Sequence, residues 1–207
     1  MDRRELLRMI ALVTGGAVVG GEVFLSGCTS GAKADSGFTE ANIALLDEVG
    51  ETILPATSTP GAKASQVGQF MKTYVTDCYN QARRDAFMNG ITAIDAASHS
   101  LNGKGFVDAS PEQRKQLLQN LEKEARDYNE AQAKKDRPGF EELQKQNLGY
   151  QFISSPLHYY TMMKQLTLLG YFTSEVGATK ALRHNAVPGH YDGAFPYKKG
   201  DKAWAEQ

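Results

Sequence analysis

The sequence contains few of the residues that usually build a catalytic or metal centre. It has two cysteines and four histidines in 207 residues. No Cys-x-x-Cys-His segment is present, which excludes a covalently attached c-type haem in this chain. No Gly-x-Gly-x-x-Gly turn follows a strand-like run, so no dinucleotide-binding fold is indicated. The net charge of -1 gives no reason to expect a nucleic-acid partner.

Candidate catalytic groups are also scarce. A nucleophile needs a base within hydrogen-bond reach, and the histidines lack the paired spacing of a metal-binding helix. An unrecognised enzyme site would have to use Glu175, His158 and Tyr159. We therefore predict no catalytic, cofactor or metal site in this chain.

Near the N-terminus, a charged segment precedes the longest uncharged apolar run. Arg3, Arg4 and Arg8 lie before residues 9–21, an order typical of a secretion signal. The run is shorter than the ~20 residues that a spanning helix needs, so a permanent transmembrane anchor is the weaker interpretation. The Arg3-Arg4 pair followed by Leu6-Leu7 resembles the twin-arginine signal, which exports folded proteins. Ordinary export of an unfolded chain is the alternative.

The apolar run is followed by Leu25-Ser26-Gly27-Cys28, which resembles a bacterial lipobox. This pattern predicts acylation of the Cys28 thiol, and an unmodified cysteine at a soluble cleavage site is the alternative. Acyl chains hold a protein at a membrane because each buried methylene contributes about 0.8 kcal/mol. We expect an export signal over residues 1–27, a tether over 28–37 and a folded domain over 38–207. The protein is then periplasmic and lipid-anchored to an envelope membrane.

Apolar residues recur every three or four positions through most of the remaining chain, which predicts an all-α fold with a single helical domain. Thr39 is expected to cap the first helix and Pro55 to end it. A long helical stretch is predicted over residues 66–101, with a break near Asn89-Gly90 and a left-handed cap at Asn102-Gly103.

The second half of the chain carries equally clear helix signals. Ser110 and Gln113 flank Pro111-Glu112 as a capping box with proline in the first turn. Residues 134–139 predict a charged, solvated turn, after which the helical pattern resumes over residues 141–147. Ser155-Pro156 predicts the start of a further helix that runs to Gly170.

Cys78 is the second thiol of the chain. Its helical spacing with Phe70, Tyr74 and Ala82 predicts a small buried core residue. A disulfide to a partner protein is the alternative.

From Asn185 onwards the sequence predicts an irregular tail, because it is rich in glycine, proline and aromatic residues. Such a tail suits a docking surface, since aromatic side chains anchor interfaces. The residues that we predict to contact a partner are Tyr171, Phe172, Glu175, Tyr191, Phe195, Tyr197 and Trp204. For Tyr171 and Phe172, packing in the core is the alternative.

Three segments carry a family resemblance: TILPATSTPGAK over residues 52–63, LLGYFTSEVGAT over residues 168–179, and the tail over residues 187–201. They resemble the small, third subunit of gluconate 2-dehydrogenase and of related sugar dehydrogenases. The resemblance implies a non-catalytic partner of a large FAD-containing flavoprotein of the glucose-methanol-choline type. It also implies that a multihaem cytochrome c can join the complex. The lipobox is a departure from the family pattern, because a purely soluble small subunit would not need one.

Two functions of different kinds follow. The first is an accessory subunit that assists maturation, twin-arginine export and membrane anchoring of a FAD-dependent sugar or gluconate dehydrogenase. The second is a free-standing envelope lipoprotein that acts as a binding or scaffold module. Recovery of a flavoprotein together with the chain would distinguish them.

Overall fold

The computed structural model describes residues 37–187, 189–190 and 192–205. Residues Phe38–Gln207 form one compact unit. The described part is all-α, as predicted, and its only β pairing is an isolated bridge. Its α-helices are α1 (Glu40–Ile53), α2 (Val67–Cys78), α3 (Gln81–Asn102), α4 (Pro111–Lys145) and α5 (Tyr159–Thr173). Short 3₁₀ turns at Ala62–Ser65 and Gly149–Gln151 and a π turn at Gly177–Ala181 complete it.

The predicted helix caps are confirmed. The Thr39 side chain accepts the Asn42 N–H at the start of α1. Ser110 and Gln113 form both hydrogen bonds of a capping box at the start of α4. Gly103 ends α3 with φ 72°, the left-handed conformation that glycine adopts without steric cost.

The predicted break in the second helical stretch is misplaced. The chain leaves the helix at Tyr79 and Asn80, and Asn80 caps α3 by accepting the Arg83 N–H. Asn89 and Gly90 continue through α3. Gly90 serves close packing rather than a helix break, because a Cβ there would lie 2.3 Å from the Tyr159 Cβ. Cys78 is exposed at the end of α2, so the prediction that it is a buried core residue is wrong.

The charged turn predicted over residues 134–139 is also wrong, because α4 continues through it for a total of 35 residues. Pro138 lies inside this helix, where its missing N–H deprives only the exposed Lys134 of an intrahelical partner. The Phe140 ring packs edge-on against Phe152, at 5.7 Å between centroids. This contact holds the returning chain against the helix beyond the proline.

The last long helix starts later than predicted. Ser155 donates its backbone N–H and its hydroxyl to the Asp136 carboxylate, both at 2.7 Å, and lies in an irregular segment before the helix. His158 is the N-cap of α5 instead. Residues 126–157, called the arm below, comprise the second half of α4 and the segment that returns along it.

The core lies between α1, α2, α3, α5 and the first half of α4. Its fully buried side chains include Leu46, Val49, Met71, Phe87, Ile94, Phe106 and Met163. No helix among the described residues has the length and apolar character needed to cross a membrane.

The proline-rich loop that follows α1 is folded around two carboxylates of that helix. Glu51 accepts the N–H groups of Ala56 at 2.8 Å and Lys63 at 2.9 Å. Glu48 pairs with Lys63 and with Arg114 of α4. Burial of Glu48 opposes ionisation, but these two cations prevail and hold its pKa below the usual value. Two of the segments with a family resemblance also meet here, since the Tyr171 hydroxyl donates to the Pro60 carbonyl at 2.6 Å.

Candidate functional site: the C-terminal loop and the start of helix α5

The tail closes on itself at Arg183. The Arg183 N–H donates to the Ala203 carbonyl at 2.8 Å, and the Ala205 N–H donates to the Arg183 carbonyl at 2.9 Å. Arg183 and Trp204 thereby form a parallel bridge. Residues 184–202, called the C-terminal loop below, therefore leave and return at one point.

The Arg183 side chain also contacts residues of the C-terminal loop and of this bridge. Its guanidinium carbon lies 4.7 Å from the centroid of the Trp204 ring and 5.3 Å from that of Phe195. The two rings meet edge-on at 5.5 Å, and Asp201 lies 3.9 Å from the guanidinium. Each cation–π contact at such a partly exposed site is worth about 0.5–1 kcal/mol. We call Arg183, Phe195 and Trp204 the clasp.

The structure separates the predicted interface residues into several groups. Phe195 and Trp204 come together in the clasp and remain 49% and 41% exposed. Tyr197 is 76% exposed in the C-terminal loop. Phe172 and Glu175 are exposed at the end of α5, close in sequence to Arg183. Tyr191 lies outside the described residues.

Tyr171 belongs to the core, where only 4% of its surface is exposed. It therefore takes the packing role that the sequence left open and contributes no surface to docking. Arg3, Arg4 and Cys28, the predicted signal and lipid-attachment residues, lie outside the described residues. Arg183 was not singled out from the sequence, because no local pattern marks a residue whose partners lie 12 to 21 positions further along the chain.

A second cluster lies where α5 begins against α4. The buried His158 accepts the Tyr160 N–H at Nδ1, at 3.3 Å, and donates its backbone N–H to Asn129 Oδ1 at 2.8 Å. Its ring lies 4.1 Å from Tyr159 and 5.5 Å from Tyr128. Because Nδ1 accepts, the ring proton is assigned to Nε2, which lies 3.8 Å from a Glu124 oxygen.

The ionisable groups of this cluster are shifted by burial. Burial lowers the pKa of His158, and the nearby Glu124 carboxylate opposes this only in part. Burial, reinforced by Glu124, raises the pKa of Tyr159 to about 12. His158 and Tyr159 are thus uncharged at neutral pH, and His158 caps α5 as a neutral side chain.

The three residues of a possible enzyme site are not brought together. His158 and Tyr159 lie at the start of α5, whereas Glu175 follows its C-terminus, about 22 Å away along a 15-residue helix. Within the described ranges, no group of three His, Cys, Asp or Glu side chains is arranged to hold a metal ion.

Protonation of His158 is expected to destabilise the fold. A histidine whose folded pKa is lowered binds fewer protons in the folded than in the unfolded state, so stability falls as pH falls below the unfolded value of about 6.5. The loss stops growing below the lowered folded pKa. Urea unfolding between pH 8 and pH 5 measures it.

The matched variants for this prediction are His158→Asn and His99→Asn. Asparagine can still cap α5 but does not titrate, so His158→Asn is expected to reduce the pH dependence below 6.5. His99 is exposed on α3, and His99→Asn is the reference for the loss of an exposed imidazole. Equal pH profiles for His158→Asn and the parent chain would contradict the assignment.

Comparison with known proteins gives one match. Residues 40–189 match the family described as gluconate 2-dehydrogenase subunit 3. The searches of curated proteins and of solved structures gave no match. The matched range covers the helical domain, including the resembling segments 52–63 and 168–179, and ends within the third segment, residues 187–201. The chain therefore belongs to the gluconate 2-dehydrogenase subunit 3 family, an accessory-subunit family of dehydrogenase complexes.

Proposed function

We propose that this chain is the non-catalytic small subunit of a periplasmic, membrane-bound dehydrogenase that oxidises a sugar or gluconate. Its catalytic partner is a FAD-containing flavoprotein of the glucose-methanol-choline type, and a multihaem cytochrome c can join the complex. The observation that carries the proposal is the family match over residues 40–189. FAD belongs to the partner, and this chain contributes no catalytic residue.

The small subunit assists maturation and export of the catalytic subunit. The Arg3-Arg4 pair supports this role, because a twin-arginine signal carries a folded protein and a flavoprotein must bind FAD before it leaves the cytoplasm. A partner docked on the small subunit would then be exported as a passenger. Acylation of Cys28 would hold the complex at the membrane afterwards.

Exposed aromatic residues on the domain support docking. Phe172 is 39% exposed, and Phe195, Tyr197 and Trp204 are more exposed still. Aromatic side chains dominate the binding energy of protein interfaces when they are buried by a partner. The end of α5 and the C-terminal loop are therefore the surface that we assign to the catalytic subunit.

The test is recovery of the chain from its native membrane in mild detergent, with a flavin absorbance spectrum and identification of the co-purifying proteins by mass. We expect a FAD protein to accompany the chain. With Arg3 and Arg4 both changed to lysine, both proteins are expected to remain in the cytoplasm. Arg8→Lys is the matched control, because it lies in the same segment outside the pair, and it is expected to export normally.

The same preparation separates the alternatives. A lipoprotein recovered without flavin or partner would overturn the proposal and favour the free-standing envelope module. Normal export of the Arg3, Arg4 double variant would overturn the twin-arginine role alone. Changing Cys28 to serine is expected to release the complex from the membrane, and retention of that variant would place the anchor elsewhere.

A further inference from the structure

The C-terminal loop is held in shape from its base. Three positions of the loop and its end, at Phe195, Asp201 and Trp204, converge on the single side chain of Arg183. The backbone bridge between Arg183 and residues 203–205 closes the loop at the same point. Removing the Arg183 side chain would take away its contacts with Phe195, Asp201 and Trp204 and leave the bridge with its backbone hydrogen bonds.

The loop's two carboxylates are used internally. Asp192 accepts the Ala194 N–H at 2.9 Å. Asp201 accepts the Lys198 N–H at 2.9 Å and lies 3.9 Å from the Arg183 guanidinium. These contacts set the local turns of the loop and partly neutralise its negative charge.

The outer part of the loop combines an apolar ring with positive charge. Tyr197 is 76% exposed, and the side chains of Lys198 and Lys199 beside it are exposed as well. An aromatic ring flanked by two cations fits an apolar pocket with carboxylates at its rim, since interfaces combine a desolvated aromatic anchor with complementary charge around it.

We propose that the described part of the C-terminal loop, residues 184–187, 189–190 and 192–202, forms a preformed docking surface whose Tyr197 enters an apolar, acid-rimmed pocket of the catalytic subunit, and that Arg183 is its positioning residue. The proposal rests on the proposed function and adds the contact site. Arg183, Phe195 and Trp204 hold the loop ready, whereas Tyr197, Lys198 and Lys199 touch the partner. A loop already in its bound shape loses little conformational freedom on docking, which raises affinity.

The experiment measures binding of the full chain, in detergent, to the flavoprotein recovered with it. Arg183→Met keeps a long side chain but removes the cation, and it is expected to weaken binding at least about tenfold, or 1.4 kcal/mol. Hydrogen exchange of the Ala205 N–H in the unbound chain is expected to accelerate in the same variant. Arg126→Met, at an exposed arginine of α4, is the matched control for both measurements.

Tyr197→Ala separates positioning from contact. It is expected to weaken binding to a similar degree while the Ala205 N–H exchanges as slowly as in the parent chain. Changing Lys198 and Lys199 to glutamine is expected to reduce the dependence of affinity on salt, because the rim charges lose their partners.

Different outcomes overturn different proposals. Parent-level affinity in Arg183→Met despite faster exchange would overturn the role of the loop, and so would parent-level affinity in Tyr197→Ala. Unchanged exchange in Arg183→Met would overturn the clasp as a positioning device. If the parent chain itself binds no flavoprotein, the proposed function fails, and the docking loop fails with it.

Discussion

Replacing Phe87 by alanine is expected to lower the free energy of unfolding by about 3–5 kcal/mol. Phe87 is completely buried and lies in a row of aromatic rings that joins three parts of the chain. Its ring centroid is 6.3 Å from that of Phe38 and 6.4 Å from that of Tyr79, which in turn meets Tyr74 at 5.7 Å. Truncation leaves a cavity between α1, α2 and α3 that the rigid neighbouring rings cannot fill.

Urea unfolding followed by circular dichroism measures this loss. Phe87→Leu is the matched variant, because it retains an apolar side chain of intermediate volume, and we expect it to cost no more than about half as much. A loss below about 1 kcal/mol in Phe87→Ala would show that the core collapses around the site, contrary to this packing.

Gly177→Ala is expected to destabilise the chain by about 2–4 kcal/mol, because the methyl group would meet backbone atoms that cannot move aside. A Cβ on Gly177 would lie 1.8 Å from the Tyr171 carbonyl oxygen and 2.7 Å from its carbon. The π turn at Gly177–Ala181 lies between α5 and Arg183, so a displaced turn is expected to move the clasp as well. The variant should therefore open the turn as well as lower the thermal midpoint.

Gly149→Ala is the control for this substitution. A Cβ on Gly149 would have no neighbour closer than 3.6 Å, which is ordinary van der Waals contact, and its backbone conformation is not left-handed. We expect its unfolding free energy to stay within about 1 kcal/mol of the parent value. Similar losses in both variants would refute the steric explanation.

The sequence predicted the helix ends well where they depend on neighbouring residues alone. Thr39, Ser110 with Gln113, and Gly103 act within one turn of the helix that they begin or end. Their hydrogen bonds need no distant partner, so the pattern of side chains was sufficient. The all-α class followed from the same local periodicity.

The misplaced boundaries depend on contacts between distant residues. The helical spacing around Cys78 extends in the sequence across Tyr79 and Asn80. In the structure the helix ends at Cys78, and the Tyr79 ring packs against Tyr74 and Phe87. A charged turn was expected over residues 134–139, yet the returning segment packs against α4 and the helix continues. Helix propensity describes only neighbouring residues, so it could not predict helix ends that depend on these tertiary contacts.

The candidate site was predicted in part. Composition identified Phe195, Tyr197 and Trp204 as surface aromatics of the tail, and the structure leaves all three exposed. Composition could not show that Phe195 and Trp204 meet across Arg183, because that arrangement depends on a bridge between two irregular segments. Tyr171 looked equally suitable for docking, but its hydroxyl reaches Pro60 from inside the core.

The arm is expected to be less stable than the helical bundle. None of residues 126–157 is buried, and polar contacts such as those of Asp136 with Ser155 contribute to holding the arm together. Hydrogen bonds exposed to water open at lower cost than those of a core, so the arm can melt while the bundle stays folded. Melting of the arm would break the hydrogen bond from the His158 backbone N–H to Asn129 and so destabilise the start of α5. We therefore expect the arm to open before the bundle on heating, so that thermal unfolding departs from a single two-state transition.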